Sequence, residues 1–238
     1  MPEEQWTAVD EYLNASVVRP DQALDAALRS TAEAGMPPIA VSAAQGKLLG
    51  ILATLVGARN VLEIGTLGAY STIWLARAVE RRAVEHRAGG TGDANSPAGR
   101  VVTLEIEPKH AEVARKNIAN AGLDGVAEVR VGAALDILPT LGPEGPFDLT
   151  FIDADKANIP AYFDWAVKLS RQGAIVVVDN VVRNGALIDE SSADPNVQGV
   201  RRLHEALATD DRVTATTIQT VGSKGYDGFT IAVVNRPG

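Results

Sequence analysis

Apolar positions in the first 55 residues recur at helical spacing, and from residue 60 onward they gather into short runs separated by amphipathic stretches. Trp6, Val9, Tyr12, Leu13 and Val17 mark a first helix. A second is expected from Pro20-Asp21 to the break at Gly35-Met36-Pro37-Pro38. A third begins near Ser42, a residue suited to an N-cap, and carries Leu48, Leu49, Leu52 and Leu55. The runs NVLEIG, RVVTLEI, VAEVRVG, FDLTFID and GAIVVVD each precede a helical segment, at 70–84, 108–121, 134–141, 157–170 and 197–208. That βαβ rhythm predicts an α/β fold, a doubly wound, mostly parallel sheet with helices on both faces and extra helices at the N-terminus. Two β-rich runs, RVTATTIQT and DGFTIAVV, close the chain around a turn-prone GSKGYDG. With no helix between them they must pair antiparallel, because a parallel crossover needs about a dozen residues. The polar stretch 85–100 (EHRAGGTGDANSPAGR) has no period and reads as a flexible surface insertion. The whole chain, 1–238, is therefore expected to be one domain with a helical extension at 1–35.

Composition narrows the chemistry. With 46% hydrophobic and 22% charged residues the chain is long enough for one sizeable core. A net charge of −8 disfavours an electrostatic grip on nucleic acid or an anionic membrane. No cysteine is present, which removes disulfides, thiolate nucleophiles and cysteine-ligated metals together. His86, His110 and His204 lack metal-ligand spacing, so any metal must be held mainly by oxygen. No apolar stretch approaches the ~18–20 residues of a membrane span, and the acidic start lacks a signal-peptide pattern. A cytoplasmic location is the expectation.

In doubly wound sheets ligands bind at the carboxyl ends of the strands. The first strand ends in Glu63-Ile64-Gly65-Thr66-Leu67-Gly68-Ala69-Tyr70-Ser71. Gly65 and Gly68 permit close approach to the backbone, and Ser71 falls at a helix start. A dinucleotide fingerprint would need glycine where Glu63 stands, and no P-loop lysine is present. The bland alternative is a tight βα turn with no ligand. The second strand ends in Leu104-Glu105-Ile106-Glu107-Pro108, where a carboxylate can accept both hydroxyls of a ribose. Either glutamate could instead be a helix-start acid; Glu105 is the better ligand and Glu107 the better cap. The fourth strand ends in Asp153-Ala154-Asp155-Lys156 and the fifth in Asp179-Asn180. If these strands are neighbours, Asp153, Asp179 and Asn180 form an all-oxygen site suited to Mg²⁺ or Ca²⁺. Beside such a cation Lys156 becomes a usable base. Alternatively the acids merely end strands and Lys156 is a solvated cation. Asn184-Gly185 overlooks the same edge, and Met36 and Ile39 are candidates for an apolar pocket or for loop packing.

These residues together resemble the cation-dependent catechol and caffeoyl-CoA O-methyltransferase family, within the Rossmann-like S-adenosylmethionine-dependent methyltransferases. The resemblance spans roughly 36–238 and rests on six motifs in order: VSAAQGKLL, VLEIGTLGAYS, TLEIEPKHAEVARKNI, FDLTFIDADKANIPAYF, GAIVVVDNVVRNG and DGFTIAVV. It implies a seven-stranded sheet whose last strand is antiparallel. It also implies donor contacts from Val41, Glu63, Gly65, Thr66, Ser71 and Asp153, a ribose contact from Glu105, and Ala134 near the adenine. Asp153, Asp179 and Asn180 match the metal ligands, Lys156 the base, and Asn184 a residue near the acceptor, with N-terminal segments near the substrate mouth; Met36 and Ile39 stand as substrate candidates from their place in the entry loop. A small phenolic acceptor, catechol-like or another vicinal diol, and a homodimer are the implied partners. The glutamate that animal catechol enzymes place before the final strand has no equivalent at Thr220-Val221-Gly222-Ser223. A nicotinamide-dependent oxidoreductase is the competing enzyme class, opposed by Glu63; a non-catalytic binding module is opposed by the intact Asp153, Lys156, Asp179 and Asn180.

Overall fold

The computed structural model describes residues 2–88 and 99–237. Helix α1 (Pro2–Leu13) runs into a π-helical turn (Asn14–Val18), and α2 (Gln22–Glu33) and α3 (Ala43–Leu55) follow. Asp21 Oδ1 accepts the Ala23 and Leu24 N–H groups at 3.1 Å each, and Ser42 Oγ accepts that of Gln45 at 3.2 Å. These side chains satisfy amide donors that a helix start leaves unpaired. The alternating region then builds β1 (Asn60–Ile64), α4 (Tyr70–Ala88), β2 (Arg100–Glu105), α5 (Pro108–Asn120), β3 (Ala127–Val131), the short α6 (Ala134–Ile137), β4 (Phe147–Ile152), α7 (Ile159–Leu169), β5 (Ser170–Asp179), α8 (Pro195–Leu207), β6 (Val213–Gly222) and β7 (Gly225–Val234).

The seven strands lie in the order β3-β2-β1-β4-β5-β7-β6. The first five are mutually parallel, and β7 is antiparallel to both of its neighbours, β5 and β6. Period-two alternation splits the core between two faces. Val61, Phe151 and Val177 pack with Ile73 and Val79 of α4 and Ile118 of α5. Leu62, Ile152 and Val178 pack with Phe163 of α7 and Leu203 of α8. Each such side chain, fully buried, contributes about 1.5–3 kcal/mol.

Three expectations change in detail. The turn-prone GSKGYDG is mostly strand: β6 and β7 pair through Gly222 and Gly225, leaving Ser223 and Lys224 as the turn. Its tightness comes from a long-range contact, since Asp10 Oδ2 of α1 accepts the Ser223 N–H at 2.7 Å and its hydroxyl at 2.9 Å. The first helix after β1 continues to Ala88, and Arg100 already begins β2, so the surface insertion read at 85–100 is helix and strand at its ends. Its centre, 89–98, lies outside the described residues. The stripe that marked α1 faces outward: Val9, Leu13, Val17 and especially Tyr12, 71% accessible, are exposed. Periodicity identified the helix correctly but could not say what covers its apolar side.

Candidate active site at the topological switch point

Strand order reverses between β1 and β4, whose tips align as Ile64 with Ile152. A cavity of about 720 Å³ opens there, where doubly wound sheets take their ligands. One lobe is formed by the loops after β1, β2 and β3, the other by the loops after β4 and β5.

The first lobe is a strained turn held by one carboxylate. Gly65 adopts φ +101°, and Leu67 and Ala69 are also left-handed at +50° and +67°. Such conformations persist only where the surroundings impose them. Glu105 does so: its Oε2 accepts the Thr66 N–H at 3.3 Å and the Leu67 N–H at 2.8 Å, while Oε1 accepts that of Glu107 at 3.0 Å. Glu105 also lines the cavity, with His110 Nδ1 3.6 Å from Oε1. Glu107 occupies the N-cap position of α5, but its side chain makes no capping bond. A Cβ on Gly68 would meet Thr31 Oγ1 at 1.9 Å, so the N-terminal extension braces this turn from behind. Asn117 Nδ2 of α5 donates to the Gly68 carbonyl at 2.9 Å.

Glu63 sits beneath the turn, fully buried and outside the cavity lining. Ser71 Oγ donates to its Oε1 at 2.6 Å and Thr72 Oγ1 to its Oε2 at 2.5 Å. Burial raises its carboxyl to about 7, aided by the Asp153 charge, against the hydroxyls of Ser71, Thr72 and Thr103. Ser71 itself lines the cavity, so Glu63 reaches the site through Ser71. Because the folded-state value exceeds the ordinary carboxylate range, ionising Glu63 opposes folding. Its stabilising share is complete below about pH 4.5 and is lost as pH rises through about 7, a change on the order of 3 kcal/mol. Glu63→Gln, which cannot ionise, should remove that pH dependence. Denaturant unfolding of both proteins from pH 4.5 to 7.5 checks it, and a stability difference that stays constant across the range would refute it.

The second lobe gathers the acids. Ile152 pairs with Val178, so Asp153 and Asp179 follow in register at the tips of adjacent parallel strands. Lys156, only 7% accessible, donates from Nζ to Asp153 Oδ1 at 2.7 Å. Asp179 is buried, and its Oδ1 accepts the Asn180 N–H at 2.8 Å. Burial first and the Asp153 charge second push its carboxyl up to about 7, with Lys156, the Gln45 amide of α3 and the Asn180 N–H pulling down. Asn180, left-handed at φ +56°, lines the cavity with Asp153 and Lys156. Two like charges pressed together with an amide beside them are a donor set that a hard divalent cation fits. Among the described residues no group of three or more His, Cys, Asp or Glu side chains could hold a metal, so an ion here would rest on two carboxylates and the Asn180 amide.

Of the other expected residues, Val41, Thr66 and Ala134 line the cavity, as does Ile39, which is 67% accessible. Met36 does not. It is buried, with its N–H on the Thr31 carbonyl, and belongs to the loop packing. Asn184 is exposed and outside the lining; its neighbour Arg183 lines the cavity instead. Sequence reasoning missed Arg183, Asn196 and Tyr162. Tyr162, whose hydroxyl donates to Asp155 Oδ1 at 2.5 Å, could have been found from its place two helical turns after that acid. Nothing in the spacing marked Asn196, at the start of α8.

The O-methyltransferase family profile matches residues 14–84 and 88–233. A catechol O-methyltransferase of Mycobacterium tuberculosis is 52% identical over 95% of this chain and 94% of its own length. One from Niastella koreensis is 48% identical over 96% and 97%. Among solved structures, a Bacillus cereus O-methyltransferase in complex with SAH superposes with a TM-score of 0.88 at 52% identity, covering 97% of this chain and 99% of that one. The Streptomyces achromogenes O-methyltransferase TomG, involved in tomaymycin synthesis and in complex with SAM, gives 0.89 at 52% identity and 99% of both chains. With a switch-point cavity of this build and likeness along nearly its whole length, the chain belongs to the O-methyltransferase family.

Proposed function

We propose that this S-adenosylmethionine-dependent O-methyltransferase methylates one hydroxyl of a small phenolic acceptor bearing two adjacent hydroxyls, with a divalent cation held by Asp153, Asp179 and Asn180. The observation that carries the reading is the pair of in-register acid tips with Lys156 2.7 Å from Asp153, beside the Gly65 turn in one cavity. Glu105 would take the ribose hydroxyls with its remaining lone pairs. Val41, Gly65, Thr66 and Ser71 would surround the methionine portion, with Glu63 acting through Ser71, and Ala134 would lie against the adenine. A bound divalent cation supplies orientation of the two acceptor oxygens and a lower pKa for the attacking hydroxyl. Beside a divalent cation, charge repulsion would favour the neutral amine of Lys156, which is then placed to receive the acceptor's proton and leave a phenolate in line with the sulfonium methyl. The methyl passes to oxygen as the carbon–sulfur bond breaks, and S-adenosylhomocysteine leaves neutral at sulfur. Mg²⁺ or Ca²⁺ suits the oxygen donors.

A homodimer is part of the reading. It is supported by the exposed Val9, Tyr12 and Val17 of the N-terminal helices and by Ile218 and Val221 on the edge strand β6. Among the described residues no helix is long and apolar enough to cross a membrane.

A methyl-transfer screen over vicinal diphenols, with and without Mg²⁺ and with mono-hydroxy analogues as controls, tests the function. Turnover of diphenols alone, lost in excess chelator, is expected. Full activity in chelator would remove the cation from the mechanism.

A further inference from the structure

The charged side chains lining the cavity are engaged within the protein, with one exception. Asp153 is paired with Lys156, and Glu105 receives three backbone N–H groups and faces His110. Asp155 accepts from the Tyr162 hydroxyl and from Asn158 Nδ2 at 2.7 Å. Arg183 has no side-chain partner among the described residues, and its Nε is buried without a hydrogen bond. Several guanidinium groups elsewhere are paired, Arg100 and Arg130 with Glu144, Arg171 with Asp148 and Arg212 with Asp164; Arg82 Nε is also buried without a hydrogen bond, but Arg82 lies outside the cavity lining.

The backbone around Arg183 is arranged to present it. Arg183, Asn184 and Gly185 are consecutive left-handed residues at φ +57°, +53° and +84°. An arginine adopts that conformation only against a steric penalty. Asp227 of β7 offsets it, its Oδ1 accepting both the Val182 and Arg183 N–H groups at 2.9 Å. A strained turn held by a β7 carboxylate thus sets Arg183 on the cavity lining, three residues beyond Asn180.

We propose that Arg183 is a specificity determinant for an acceptor carrying a carboxylate in addition to its adjacent hydroxyls; the inference rests on the vicinal-diphenol reading of the same site. A guanidinium on the cavity lining with no partner in the protein can pair with a carboxylate bound there, and a planar fork matches that anion. A neutral acceptor leaves it without that partner.

The test compares acids with their methyl esters: 3,4-dihydroxybenzoate and 3,4-dihydroxycinnamate, each beside its ester, in the wild type, Arg183→Gln and Arg183→Lys. The wild type should favour at least one acid over its ester by about tenfold or more in kcat/KM, a preference carried mainly by KM. The ratio, read within each variant so that general losses cancel, should fall towards one in Arg183→Gln and be partly kept in Arg183→Lys. Equilibrium binding of the preferred acid, with S-adenosylhomocysteine and Mg²⁺ present, should weaken about tenfold in Arg183→Gln. A wild type that prefers neither acid, or a ratio untouched by Arg183→Gln, overturns the assignment. Failure to methylate acids, esters and catechol alike would instead overturn the vicinal-diphenol reading itself.

Discussion

Asp179→Asn is expected to lower kcat/KM with divalent cation by about a thousandfold or more while leaving S-adenosylhomocysteine affinity within a few-fold of wild type. Asp179 is the informative acid because it is buried and outside the cavity lining, set back from the space a donor would fill. The substitution keeps the size and the acceptor oxygen for the Asn180 N–H, but removes one of the two charges that would hold the ion. Loss of a ligand charge should appear as weaker Mg²⁺ binding by calorimetry, with turnover partly restored at high Mg²⁺. The same change relieves the repulsion between Asp153 and Asp179, so the metal-free variant should be at least as stable as the wild type at neutral pH. Function lost with stability held is the signature of a charge pair kept for binding. Wild-type Mg²⁺ affinity in Asp179→Asn would show that the ion, if any, lies elsewhere.

Gly65→Ala should be strongly damaging, because backbone strain and a backbone clash coincide there. Gly65 sits at φ +101°, and an added Cβ would lie 2.1 Å from the Asp153 carbonyl oxygen and 2.8 Å from its carbonyl carbon. Both are backbone atoms and cannot swing away. The β1 and β4 tips would have to separate, moving Asp153 and the turn that Glu105 holds. Strain and overpacking together cost about 2–5 kcal/mol, which lowers Tm by roughly 5–15 °C in a chain of this size. Binding of S-adenosylhomocysteine should fall by at least about a hundredfold. Gly122→Ala is the control: its φ is +72°, but an added Cβ meets nothing within 4 Å. It should pay the backbone penalty, about 1 kcal/mol, and keep activity. Equal effects of the two alanines would mean that strand-tip contact does not matter.

Much of the candidate site was legible because it sits at strand ends. Glu105, Asp153, Lys156, Asp179 and Asn180 could be picked out where apolar runs stop. Less legible were residues whose role depends on something distant in the chain. Met36 and Ile39 read alike, as pocket candidates or as loop packing, and the loop turns the first inward and sets the second on the cavity lining. Asn184 read as the site residue of its turn, but the left-handed backbone that Asp227 holds puts Arg183 on the lining instead. Glu63 read as a donor contact. It lies one layer deeper, its oxygens taken by Ser71 and Thr72.

By itself the sequence determined the elements, the alternation of core faces, the antiparallel close and the chemical nature of the strand-tip residues. All of these follow from spacing along the chain, since a period of two or 3.6 decides which side chains share a face. Only the tertiary structure decided that β4 and β5 are neighbours in register, that β7 slips between β5 and β6, that α2 braces the Gly65 turn, and that Arg183 enters the cavity without a partner. Those are encounters between segments tens of residues apart, created when two core faces close on one sheet, and no local period carries them.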